Sequence, residues 1–153
     1  MPAAPSALLP RLDHVEVGLR AATKAEAIDA LVARLAGVDG VEDADRLGAD
    51  VAAREARMST GVGDGLALPH ARTSAVARTV AALATLVEPV DWGALDGRPV
   101  GIVLLLAGPE ADRRAHVRLL AHVSRVLSDA DVRARLAAAP TADDLRAALA
   151  AEA

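Results

Sequence analysis

The sequence predicts an α/β protein: a small mixed β-sheet flanked by helices on both faces, three layers in the order β-α-α-β-β-β-α-α-α. Three observations carry this reading. Short apolar runs at 14–19, 65–70, 79–87 and 99–107 have strand length. Apolar stripes at helical spacing fill the intervals between and after them. The run "PVGIVLLLA" is continuously apolar rather than alternating, as a central strand covered on both faces would be.

Taken in order, "HVEVGL" alternates, with Val15, Val17 and Leu19 on one face, and predicts the first strand. "ATKAEAIDALVARLAGV" follows; Thr23 and Glu26 have capping-box spacing, and Ile28, Leu31, Val32 and Leu35 form a stripe. A second helix covers "ADRLGADVAAREARM", with Leu47 and Val51 inward and Arg54–Glu55 near its end. "GLALPH", "TVAALATLV" and "PVGIVLLLA" predict three strands, the last two joined by the turn-rich "DWGALDG". The remainder is helical: "EADRRAHVRLLAHVSRVLS", "DADVRARLAAA" and, after Pro140, "TADDLRAALAAEA", where Thr141 and Asp144 mark an N-cap. Residues 1–12, with Pro2, Pro5 and Pro10, read as a loose N-terminal segment, and 13–153 as one domain.

Composition narrows the function. The 153 residues suit one buried core, and 53% hydrophobic residues argue against disorder. Trp92 is the sole aromatic residue and the net charge is -4, so the aromatic platforms and basic balance of a base-stacking nucleic-acid module are missing. There is no cysteine, which excludes a disulfide scaffold, a thiolate metal site and a cysteine nucleophile. The apolar runs are too short to span a bilayer, and the N-terminus does not read as a secretory signal. The expectation is a cytoplasmic protein.

The four histidines differ. His14 opens the first strand opposite Val15 and Val17 and reads as solvated. His122 lies at helical spacing from Arg118, Arg125 and Asp129, a polar face. His116 shares a stripe with Leu120, Val123 and Leu127 and therefore points toward the sheet. His70 follows Pro69, which lacks a ladder donor, so the strand should end there and expose the histidine at an edge. Two histidines without a completing cluster do not make a metal site, and "STGVGDG" lacks the Gly-Lys-Ser/Thr ending of a nucleotide-binding loop; neither metal nor cofactor is expected.

The stretch "REARMSTGVGDGLALPHARTS", with "VDWGALDGRPVGIVLLLAGP" and "HVRLLAHVSRVLSDADVRARL", resembles the fructose/mannitol-type IIA proteins of the bacterial sugar phosphotransferase system over roughly residues 10 to 150. The resemblance implies a mixed sheet between helix layers and a phosphotransferase with a phosphohistidine intermediate. His70 is then the phosphorylated residue, taking its phosphoryl group from phospho-HPr and passing it to a cysteine of a IIB domain. His116 matches the second active-site histidine, a supporting hydrogen-bond donor, and Arg54 the arginine of the R-E motif, a phosphate-stabilising group. The glycine-rich loop offers backbone N–H groups to the anion, and Val62, Leu66, Ala71 and the N-terminal end of the long helix near His116 are the expected apolar rim. Without a cysteine or a membrane segment in the chain, IIB and the transporter act in trans. "PHARTS" and "DWGALDG" point to the fructose subgroup; the nitrogen-related regulatory IIA proteins are the alternative, with phosphorylation-dependent protein binding as their output.

Overall fold

The computed structural model describes residues 11–150. Eleven elements follow one another: β1 (His14–Leu19), α1 (Lys24–Leu35), α2 (Ala44–Arg57), β2 (Gly61–Gly63), β3 (Leu66–Ala67), β4 (His70–Arg72), β5 (Val80–Val90), β6 (Val100–Gly108), α3 (Arg113–Leu127), α4 (Ala130–Ala138) and α5 (Ala142–Ala150). The strands form one mixed sheet in the order β1-β5-β6-β3-β2, with β4 also on β6. β1 runs parallel to β5, β5 antiparallel to β6, and β3 and β4 both parallel to β6. The expected α/β layer architecture is the observed one.

Side-chain alternation along the central strands divides the core. Val103, Leu105 and Ala107 of β6 join Ala82 and Ala84 of β5 on the face covered by Ile28, Leu31 and Leu35 of α1 and Leu47 and Val51 of α2. Ile102, Leu104 and Leu106 join Ala81 and Leu83 on the opposite face, under Val123 and Leu127 of α3, Val132 and Leu136 of α4, and Leu145 and Leu149 of α5. A strand buried on both sides has no polar face to show, which is why its sequence does not alternate.

Local signals act as read. Thr23 caps α1: the Glu26 N–H donates to its hydroxyl at 3.1 Å, and the Glu26 carboxylate accepts the Ala22 N–H at 2.7 Å. Thr141 likewise accepts the Asp144 N–H at 3.1 Å. The expectation of a loose segment over 1–12 falls on residues 1–10, outside the described residues; Leu12 packs against the second core, and its carbonyl accepts a hydrogen bond from Arg146 at 2.8 Å.

The region around Pro69 differs from the single strand expected. β2 and β3 form a hairpin whose turn places Gly63, Asp64 and Gly65 at positive φ. β3 and β4 lie end to end along β6 with their register unbroken: Leu66 is opposite Ile102, Ala67 opposite Val103, His70 opposite Leu106 and Ala71 opposite Ala107. Pro69, with no N–H to donate, ends β3 as expected, but the register on β6 resumes beyond it in β4, and its carbonyl still accepts from Leu106 at 3.0 Å. Because the alternation also runs through it, His70 falls on the face of Leu66 and Leu68, the one α3 covers, and Ala71 on the other. β5 is longer than expected, continuing through Pro89 past an irregularity between Thr85 and Val90, the kind of place where a strand tolerates proline.

Candidate functional site

The site lies where β4 is the outermost strand. β2 pairs with β3 but not β4, so the helix layers of both faces reach His70 around an open edge. A cavity of about 410 Å³ opens there, lined from β4 by His70 and Arg72, from α2 by Arg54 and Arg57, and from α3 by Arg113 and His116.

The His70 Nδ1 lies 2.8 Å from the Leu68 carbonyl oxygen. A carbonyl only accepts, so Nδ1 carries the proton and donates. The Nε2 of the neutral ring therefore keeps its lone pair. Burial pushes the His70 pKa below the ordinary imidazole value, the Leu68 hydrogen bond opposes this, and the Arg54 charge adds to the lowering. The ring stays neutral where a free histidine begins to charge.

His116 enters from the first turns of α3, whose N-cap Asp112 accepts the Ala115 N–H at 3.1 Å. Its ring centre lies 5.7 Å from that of His70, at an interplanar angle of 47°. It is only 7% exposed, and both ring nitrogens are buried without a protein partner. Burial, with His70 and Arg72 adding smaller effects, lowers its pKa to about 4. Gly108 permits this placement, because a Cβ there would sit 3.0 Å from His116 Nδ1. An unpartnered buried imidazole costs free energy and is primed for a ligand that completes its hydrogen bonds.

Arg54, in the last turn of α2, is steadied by donating from Nη1 to the Met58 carbonyl at 2.9 Å. Its neighbour Glu55 is buried and structural. The Glu55 carboxylate accepts the Thr60 N–H at 2.8 Å and the Thr60 hydroxyl, and Lys24 Nζ lies 3.3 Å away. Trp92 Nε1 in turn donates to Thr60 Oγ1 at 3.3 Å. The R-E pair thus combines a residue at the cavity with one that locks α2 to the start of β2.

Sequence reasoning missed Arg72, Arg57 and Arg113. Arg72 had a signal: it is two residues from His70 on a strand and so shares its face. Arg72 Nη1 donates to the Glu110 carbonyl at 3.2 Å. Arg57 and Arg113 come from two different helices, and no spacing pairs them with His70. Asp50 also lines the cavity but is engaged: it accepts from Thr73 Oγ1 at 2.6 Å and from Arg46 Nε at 3.0 Å, and its carboxyl is held below the usual range chiefly by the Thr73 hydrogen bond.

Four expectations are corrected. The glycine-rich turn does not border the cavity; its Asp64 N–H donates to Asp96 at 2.8 Å at the far end of β3. Val62 and Leu66 are not at the rim; Ala71 does line the cavity but is a buried core residue, and Val117 in the first turns of α3, 56% exposed, lines the opening. His122 is half-buried with Nε2 enclosed, so its side of α3 is not wholly solvated. His14 is half-buried too, its Nε2 2.8 Å from Glu16. Among the described residues no three His, Asp or Glu side chains gather to hold a metal, and no helix is long and apolar enough to cross a membrane.

The model of the family "Phosphoenolpyruvate-dependent sugar phosphotransferase system, EIIA 2" matches residues 9–152. The chain is 44% identical over 103 residues to a nitrogen regulatory protein of Pseudomonas aeruginosa, covering 67% of each. It is 37% identical over 139 residues to the 2-O-alpha-mannosyl-D-glycerate-specific EIIABC component of Escherichia coli; that match covers 90% of this chain and 21% of the larger protein. Among solved structures, the nitrogen regulatory protein IIA-Ntr from Neisseria meningitidis superimposes with a TM-score of 0.84 at 28% identity, covering 94% of this chain and 97% of that one.

Proposed function

The chain belongs to the EIIA 2 family of the phosphoenolpyruvate-dependent sugar phosphotransferase system, and from that premise we propose that it is a phosphoryl carrier whose acceptor atom is Nε2 of His70. The observation that supports this most is the Nδ1–Leu68 hydrogen bond, which leaves Nε2 as the nucleophile. Nε2 attacks the phosphorus of a donor phosphohistidine on HPr. The new P–N bond forms as the donor's P–N bond breaks, and the donor imidazole leaves. His70 keeps its Nδ1 proton on the Leu68 carbonyl throughout, so the step needs no general base. The onward step reverses the roles: a thiolate of a IIB cysteine attacks, a P–S bond forms, and His70 is the leaving group.

Such a transfer asks for charge stabilisation at the equatorial oxygens. Arg54 and Arg72 each have one guanidinium N–H fixed on a backbone carbonyl and others left for the phosphoryl group. His116, neutral and without a partner, donates a hydrogen bond once a phosphoryl oxygen arrives. No metal or nucleotide enters, because the donor is itself a phosphoprotein.

Two outputs divide the relatives. Sugar transfer through IIB, of the fructose type favoured by "PHARTS" and "DWGALDG", is one. Phosphorylation-dependent binding to other proteins is the second, favoured by the 44% identity to a nitrogen regulatory protein. Both take place in the cytoplasm. The test is incubation with enzyme I, HPr and phosphoenolpyruvate, then mapping of the label. Acid-labile phosphate on His70, lost in His70→Ala, is expected; undiminished labelling of that variant rejects the assignment. Transfer of the label to a IIB cysteine separates the sugar output from the regulatory one.

A further inference from the structure

Four arginines, Arg54, Arg57, Arg72 and Arg113, line a single cavity in a chain of net charge -4. Among the described residues, the ion pairs of Arg11, Arg34, Arg78, Arg98 and Arg133 lie elsewhere, Arg46 pairs with the cavity-lining Asp50, and none of the four has a carboxylate at ion-pair distance. Of the two carboxylates at the same cavity, Asp50 is tied to Thr73 and Arg46, and Glu110 is exposed. Arg54 and Arg72 suffice to grip one phosphoryl group. Arg57 and Arg113 are exposed and make the opening positive beyond what that group requires, and the exposed apolar side chain of Val117 lines the same opening.

Resting on the phosphoryl-carrier reading, we infer that this rim is a docking face for a partner whose reactive residue is ringed by acidic side chains, and that it discriminates against carriers with a basic ring. Net-negative proteins repel one another at long range, so a local patch of opposite sign steers the encounter and sets its orientation. Like charges brought face to face across such a contact disfavour the wrong partner. Val117 meets an apolar centre on the partner, and the arginines form the polar surround. A protein partner accounts for the recessed His70 at the centre of the patch; a lipid surface would call for a flat or protruding one.

The test uses phospho-HPr in two forms, with acidic or with basic side chains substituted around its phosphohistidine, and phosphoramidate as a donor that needs no docking. The acidic form is expected to label His70 about tenfold or more faster at low salt. The advantage should fade above about 0.1 M salt, where the Debye length falls to roughly 10 Å. Arg57→Glu should remove or reverse the preference, and Arg57→Lys should keep it. Labelling by phosphoramidate with no preference between the two forms overturns the docking face and leaves the carrier reading intact. Binding to phosphatidylserine vesicles without a carrier preference overturns it as well, assigning the arginines to lipid. If no donor labels His70, both readings fall.

Discussion

At the scale of single residues, two neutral imidazoles set the site's chemistry. Their pKa values are depressed, so the folded state binds protons less readily than the unfolded chain does. The sign follows: stability is full above the ordinary imidazole value of 6.5 and is lost progressively as pH falls toward about 4, where His116 titrates. Thermal melts between those limits should show a falling midpoint that flattens in His116→Asn. Imidazole proton shifts should place both titrations below 6.5, and a normal value for either ring would contradict the burial argument. His116→Ala should still accept phosphate on His70 but pass it on about 100- to 1000-fold more slowly, the usual effect of deleting one transition-state donor. Rapid-quench transfer to IIB measures this, and an unchanged rate would return His116 to a packing role.

At the scale of elements, the buried Glu55 joins three of them: the end of α2, the start of β2 and the segment carrying Trp92. Glu55→Ala strands the Thr60 N–H in a buried place and should cost about 2–3 kcal/mol. Denaturant unfolding reads that loss, and a change under about 0.5 kcal/mol would mean that water replaces the carboxylate. Elements with their own periodicity were legible in the sequence: α1 from its stripe and capping box, β6 from its continuous apolar run. β2 and β4 were not. Three residues hold too little pattern, and what makes them strands is pairing with distant partners, Gly61 with Ala67 and His70 with Leu106. Pro69 illustrates the limit: as a local rule it ends a strand, but the ladder along β6 carries the backbone across it.

At the scale of the whole molecule, one open sheet edge gathers the site from both layers, and this explains which site residues could be read. His116 could be placed facing the sheet from its helical stripe, and Pro69 drew attention to His70 without giving the face it occupies. Arg57 and Arg113 reach the cavity only because opposite layers meet at β4. On the proposed carrier role, donor and acceptor proteins approach Nε2 from that same opening, so HPr and IIB should compete for the chain. Amide-shift titrations with each partner, alone and together, should perturb overlapping residues around His70 and Val117. Ala71 lines the cavity but is buried in the core, where a charge would also destabilise the fold, so Val117→Asp is the variant expected to weaken both partners. Simultaneous binding at separate surfaces would rule this out. The lack of phenylalanine and tyrosine has an optical consequence. Trp92 is 1% exposed and hydrogen-bonded to Thr60, one link from the helix end that bears Arg54. Emission from the molecule comes from that indole alone, without energy transfer from tyrosine. Its spectrum is therefore a label-free gauge of whether the α2–β2 joint stays closed through the phosphoryl loading and discharge proposed for His70.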